Sequence, residues 1–384
     1  MANTLTPYIP TIIAKTIPIL RETLEIQKHV TRDYDSEFAS VGSSLQIPIT
    51  AQVPGSAITP SSTPPALTSL APSSVTLTLN NFYSAKMSIT SSDLSSMMRN
   101  TDFVPAHLAE AARTVARQIV NTLWQNYINV PYYVGTAGTN PFSTSLTTLS
   151  NAALSMNQTL ASKENRVMLT SNNAWQGAGA LGNLIQAFQR GSADTLNTGD
   201  LGQLEGFTMK RDSQVPTQTA GTGAGYTTPV AVTTIGATSM TTLTGTGTML
   251  PGDIFTVAGD TQTYVVTGAG ITAPGLLTFY PPAQVAWASA AAITLKATHV
   301  VNLGLEPGAF ALAMRQPRTA GSADGMSLME RDGQLNVVIP FSDDVSGMQF
   351  FLSMVPGYWA QTLEVGALWG SCTLRPERAV RMAG

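Results

Sequence analysis

The sequence predicts an α+β body interrupted by an all-β insert. Three observations carry this expectation. A long apolar stripe at helical spacing follows Pro105, and runs of alternating apolar and polar residues lie on both sides of it. Between residues 212 and 298 the texture changes: charge nearly vanishes, Thr and Gly dominate, and short β runs are separated by Gly, Pro and Asp turns.

Residues 1–50 read as an N-terminal arm leading into a first strand. Pro7, Pro10 and Pro18 interrupt any helix there, whereas Leu45, Ile47 and Ile49 alternate with polar neighbours. Residues 51–90 read as an extended loop built as a hairpin. Its tip, Pro54 to Pro72, is rich in Pro, Ser and Thr, and its return carries Val75, Leu77 and Leu79, then Tyr83, Ala85, Met87 and Ile89. A hairpin of this length needs another surface to lie on, and a neighbouring subunit is one candidate.

The body is assigned to residues 91–211 and 299–384. Ser91 or Ser92 with Asp93 caps a short first helix, and Pro105 opens a long one with Leu108, Ala112, Val115, Ile119 and Leu123 on one face. Ala116, Val120, Trp124 and Tyr127 widen that stripe. Such a helix is about 35 Å long. A helix around Leu146–Leu160, a strand from Arg166 to Thr170 and a second helix from Ala174 to Arg190 follow. The insert, residues 212–298, reads as a small β-barrel or sandwich with strands at Ser239–Leu243, Asp253–Val257, Thr261–Thr267, Leu276–Tyr280 and Ala292–Lys296. Beyond it, Asp332-Gly333 separates two strand runs as a hairpin turn would, and Phe350–Val355 and Trp359–Leu374 supply further strands.

Composition narrows the function. Charged residues make up 11 % of the chain, against roughly 25 % in an ordinary soluble domain. The 43 % hydrophobic content supports a packed core. A surface so poor in charge suits a protein that covers much of itself with its own copies. The net charge is −3, with no basic tail or Lys/Arg cluster. Any DNA nearby would therefore meet a wall and not a reader. The first residues lack the pattern of a signal peptide, and no apolar run has the length of a membrane span.

No motif carries strong chemistry. Gly177-Ala178-Gly179-Ala180-Leu181-Gly182 matches the dinucleotide fingerprint, with Asp200 at the distance of a ribose contact. However, Ser171–Gln176 make the turn after the strand too long, and no repeated βαβ series follows. The expected role is a flexible, small-residue helix start. His29, His107 and His299 lack metal-ligand spacing, and Asp343-Asp344 reads as a solvated turn. The single Cys372 reads as a small core residue. Arg375, Arg378 and Arg381 form a modestly basic C-terminus suited to salt bridges between subunits. A glycan-binding use of the insert would draw on Tyr264, Phe279, Tyr280 and Trp287, although Tyr264 and Phe279 lie in strand runs and are expected in the core. No enzyme activity, cofactor or metal is expected.

Several stretches, in order, resemble the coat proteins of tailed bacteriophages, in the branch with an inserted β domain. Thr31-Arg32-Asp33-Tyr34-Asp35-Ser36-Glu37 through Leu45-Gln46-Ile47-Pro48 resembles the arm and first strand. Val75–Leu79 with Met87–Ile89 resembles the return of the extended loop, and Leu108–Ile128 the spine helix. Gly206-Phe207 to Val215-Pro216 resembles the entry to the insertion, Leu250–Gly259 a strand pair within it, and Ala309–Ala313 the segment after it. Leu363 to Glu377 is similar to the closing strands. The resemblance implies the tailed-phage capsid fold, with an arm, an extended loop, a peripheral domain on the spine helix and an axial domain. It also implies a major capsid protein of the virion, assembled in the host cytoplasm as hexamers and pentamers of an icosahedral shell. Implied partners are a scaffolding protein, a portal and, non-specifically, packaged double-stranded DNA, with no membrane. Inter-subunit contacts are expected at Tyr34, Phe38, Pro54, Pro64, Pro72, Lys86, Arg375 and Arg378, with the arm under one neighbour and the loop over another. Some relatives cross-link through a Lys and an Asn, but Lys86 lies in the return strand and not at the tip, so that pair is not assigned. Other self-assembling proteins (a tail tube or a nanocompartment shell) and a dinucleotide-binding enzyme are the alternatives.

Overall fold

The computed structural model describes residues 25–33, 38–50, 73–90, 103–186, 198–230, 233–317, 327–331, 334–342, 348–357 and 360–384. The predicted cap at residues 91–93, the loop tip, the turn at 332–333 and the Asp343-Asp344 pair lie outside them.

The long helix forms as its apolar stripe requires. Helix α1 spans Phe103–Trp124 and passes into a 3-10 turn, Gln125–Asn129. Ala112, Val115, Ala116, Ile119, Val120 and Leu123 are all fully buried. They pack against an eight-stranded sheet through residues such as Phe310, Leu312, Leu363, Val365 and Trp369. That sheet runs in the order Thr31–Asp33, Phe310–Pro317, Ala360–Thr373, Gln349–Gly357, Gln334–Ser342 and Ser327–Arg331. Phe38–Ala39 extends along Phe310–Pro317, and Asn81–Thr90 lies on the other edge of Ala360–Thr373. The Phe310–Pro317 strand shows why both faces are apolar. Phe310, Leu312 and Met314 enter the α1 core, whereas Ala311 and Ala313 join Leu77, Leu79 and Leu368 on the far side.

Ser44–Ile49 and Ser73–Thr78 pair antiparallel and flank the loop tip. The second half of the predicted return behaves differently. Asn81–Thr90 pairs over ten residues with Ala360–Thr373, from Asn81 opposite Trp369 to Thr90 opposite Ala360. It therefore belongs to the body sheet and not to the projecting hairpin. Alternation fixes a strand but does not name its partner.

A seven-stranded sheet contains Tyr133–Val134, Ala379–Ala383, His299–Leu305, Val167–Thr170, Phe207–Arg211 and Gln203–Leu204 in that order, with Thr217–Gln218 also on His299–Leu305. Helix α2, Thr147–Gln158, covers it with Leu149, Ala152 and Met156. A six-stranded antiparallel sheet draws every strand from residues 226–295: Tyr226–Thr227, Ala292–Leu295, Ile254–Val257, Tyr264–Val266, Leu276–Tyr280 and Ser239–Thr241. It has a hydrophobic cluster of its own around Phe255, Tyr264, Phe279 and Trp287. No helix among the described residues is long and apolar enough to cross a membrane.

Candidate functional site

The residues expected to meet neighbouring subunits fall in three groups. Tyr34, Pro54, Pro64 and Pro72 lie outside the described residues. Phe38 is placed by its backbone, parallel to Gln316. Lys86, Arg375 and Arg378 have described side chains. The Lys86 ammonium is largely exposed and stands 3.5 Å from Glu364 across the strand pair. Arg375 donates to the Thr50 hydroxyl at 3.4 Å. Arg378 reaches Glu306 at 2.6 Å, and Glu306 also accepts from the Ser162 amide at 3.0 Å. Arg378 thus has an ion-pair partner within its own chain.

The described part of the arm also packs on its own body. Ile26 and Gln27 are buried, and Thr31–Asp33 runs parallel to Ala311–Ala313. Arg315, only 7 % exposed, fastens this strand through Asp33 at 3.0 Å.

Arg381 corrects the sequence reading most sharply. It is fully buried, so a salt bridge to another subunit is impossible for it. Its two terminal nitrogens donate to the carbonyls of Gly252 at 2.8 Å and Ile128 at 2.9 Å, and the guanidinium lies 5.1 Å from the centre of the Tyr127 ring. The Tyr127 hydroxyl donates to Gln218, whose amide donates to the buried carboxylate of Asp253. Asp253 also accepts from the amides of Gly221 and Leu250. Gly252 holds a positive φ of 85°, and a Cβ there would stand 3.1 Å from Ile128. One buried junction thus joins the end of α1, the last strand and the six-stranded sheet. A charged residue inside the apolar run Ala379-Val380-Arg381-Met382-Ala383 was the available signal.

His299 sits beside this junction. It is the cross-strand partner of Gln218, its Nδ1 is 2.8 Å from the Ala297 carbonyl, and its ring meets Tyr133 edge-on. Burial lowers its pKa, and the Arg381 charge lowers it further.

The dinucleotide fingerprint does not form a phosphate cradle. Helix α3, Asn172–Ala180, starts at the Ser171 cap, so Gly177 and Gly179 lie in its second half, and Gly182 opens the short helix α4, Gly182–Ile185. Gly177 and Gly179 are therefore not the helix start that the sequence predicts, and of the three glycines only Gly182 stands at one. Gly177 makes room for Asn140, whose amide crosses to the Asn173 carbonyl at 2.7 Å. Asp200 accepts from the Gly202 amide and closes its own turn. The glycan reading on insert aromatics also fails for three of four residues: Tyr264, Phe279 and Trp287 are buried. Cys372 is half-buried, and burial pushes its thiol up to about 11.

No protein-family model and no curated protein matches the chain. Solved structures do. The cyanophage P-SCSP1u capsid aligns with a TM-score of 0.50 at 12 % identity, over 92 % of this chain and 86 % of that one. The capsid of the native GTA particle aligns at 0.47 and 10 % identity, covering 94 % and 90 %. The bacteriophage PhiM1 mature capsid aligns at 0.45 and 11 % identity, covering 91 % and 85 %. At such identities the likeness is one of fold, and the conclusion from the cyanophage structure is that this chain has a phage capsid fold.

Proposed function

We propose that this chain is the major capsid protein of a tailed bacteriophage and assembles with its own copies into an icosahedral shell around the genome. The alignment with the cyanophage capsid over nearly the whole of both chains is the observation that carries the reading. The charge-poor composition supports it, because surface covered by copies needs little hydration. In this reading the work is done by interfaces and not by a catalytic centre.

The division of labour follows the chain. Residues 1–50 serve as arm and first strand, and the segment between the paired strands Ser44–Ile49 and Ser73–Thr78 reaches a neighbour through Pro54, Pro64 and Pro72. The 212–298 segment is an inserted β domain with its own core. Tyr34, Phe38, Lys86, Arg375 and Arg378 remain contact candidates. A scaffolding protein and a portal are the partners this role calls for, and the host cytoplasm is where assembly takes place.

Negative-stain electron microscopy of the purified protein, with light scattering on the same sample, tests the reading. Closed shells, hexamers or pentamers are expected. Helical tubes would move the assignment to a tail component. A monomer or dimer that stays unassembled with scaffold or a crowding agent would overturn it. Deleting residues 54–72 is expected to leave a folded subunit that assembles poorly; normal shells from that deletion would remove the loop from the mechanism.

A further inference from the structure

At the seam between the six-stranded sheet and the rest of the body, a cleft of about 440 Å³ opens between α2, the Thr261–Thr263 segment and the 376–378 turn. The size is that of a small-molecule site. Its lining contains a single charged residue, Glu377. The Glu377 carboxylate accepts from the Tyr280 hydroxyl at 3.3 Å.

Two amides in the lining are held in place. Gln262 donates through Nε2 to the Thr263 carbonyl at 2.9 Å, and Gln284 donates through Nε2 to the Pro282 carbonyl at 3.0 Å. Each NH2 group is engaged in one bond to the backbone, which leaves its Oε1 turned out as an acceptor. With Glu377 the cleft presents three sets of oxygen acceptors. Donors come from the amide of Gln158 and the hydroxyls of Ser155 and Thr261. Tyr132 and Tyr133 add ring surface, and burial raises both phenols, which therefore stay protonated.

This mixture discriminates among ligand classes. An anion would face Glu377 with no cation in the lining to balance it. An apolar ligand would leave the Oε1 atoms of both amides without a donor. A lone ammonium or guanidinium would use the acceptors but leave the hydroxyl and amide donors idle. A ligand that donates and accepts through many neutral hydroxyls satisfies both sets. We propose that this cleft binds a neutral, hydroxyl-rich ligand, of the chemical class of a sugar. The site does not depend on the aromatics buried inside the six-stranded sheet, nor on the shell assignment.

The test is saturation-transfer NMR on the full chain with glucose, galactose and N-acetylglucosamine as probes and L-arginine as the cation control. At least one sugar is expected to bind saturably. The double variant Gln262→Ala, Gln284→Ala loses two acceptors and should weaken that binding about tenfold, and a melting curve of the variant checks that it stays folded, Gln284 being exposed and Gln262 half-buried. The proposal is overturned if none of the three sugars binds, if sugar binding survives the double variant, or if L-arginine displaces the bound sugar from the cleft.

Discussion

The core under α1 and the core of the six-stranded sheet solve the same problem by different means. Under α1, long elements do the work: a 22-residue helix lies on strands of up to 14 residues, and aliphatic side chains interlock along them. The six-stranded sheet has strands of two to five residues, too short for a long ladder. It concentrates its packing in an aromatic cluster. Tyr264 lies 5.1 Å from Trp287 and 5.6 Å from Phe255, and Phe279 lies 5.2 Å from Trp287. One carboxylate organises it, because Asp260 accepts from the Tyr264 hydroxyl at 2.7 Å and from the Trp287 ring nitrogen at 2.9 Å. Asp253 and Asp260 are the only charged residues between positions 226 and 295. Threonine hydroxyls take over the peripheral fastening, as between Thr228 and the Ala288 carbonyl at 2.7 Å. Where ladders are short, a few large rings and side-chain hydrogen bonds set the stability, and single substitutions should be felt more strongly.

Trp287→Ala is the most severe way to break the contrast. It removes a fully buried ring and leaves Asp260 short of a donor. The expected cost is about 3–5 kcal/mol, confined to the six-stranded sheet. Hydrogen exchange should accelerate at Ile254–Val257 and Tyr264–Val266 while Leu363–Trp369 stays protected. Equal acceleration in both places would mean that the two cores melt as one.

Arg381→Met acts on the junction between the regions. The Gly252 and Ile128 carbonyls would lose their donors inside the protein, at a cost of about 3 kcal/mol. Chemical denaturation followed by tryptophan fluorescence should show a lower midpoint, and amides around Gly252 should exchange faster. An unchanged midpoint would show that the buried guanidinium contributes little beyond filling space.

Gly370→Ala tests the other region by overpacking. A Cβ at Gly370 would collide with the Thr78 carbonyl and approach Leu77 at 2.8 Å. The expected loss is about 2 kcal/mol, felt where Ser73–Thr78 meets the eight-stranded sheet. If calorimetry shows no drop in melting temperature, the strand has room to shift.

The contrast also explains what could be read in advance. Periodicity located α1 and Leu276–Tyr280, because each buries one face long enough to leave a pattern, whereas Val167–Thr170 is buried on both faces. Tyr226–Thr227 and Thr248–Met249 are two residues long and leave none. Asn81–Thr90 was legible as a strand, but its partner lies some 280 positions away in the chain, a distance that no local pattern encodes. Tyr264 and Phe279 were placed in the core because they stand in strand runs, whereas Trp287 lies outside any strand and its burial was missed. The candidate cleft was invisible for a related reason: Gln158, Gln262 and Gln284 are unremarkable apart, and only the seam brings them together.

The smallest effect separates the regions by acidity. His299, beside the Arg381 junction, has its folded pKa lowered by burial, so the unfolded chain binds the proton more readily. The stability this contributes is intact above the ordinary histidine value of 6.5 and declines as pH falls below it. In the six-stranded sheet, burial works to raise the Asp260 pKa, but the bonds from Trp287 and Tyr264 outweigh it and leave the carboxyl below its ordinary value of 3.8. Its contribution is therefore lost only in stronger acid, below that value. Each unit of lowering is worth about 1.4 kcal/mol. Lowering the pH from about 7.5 to about 5.5 should load the junction and spare the aromatic cluster. His299→Gln should flatten the decline in melting temperature over that interval, with His29 and His107 common to both proteins. A variant that loses stability as steeply as the parent would shift the acid response away from the junction.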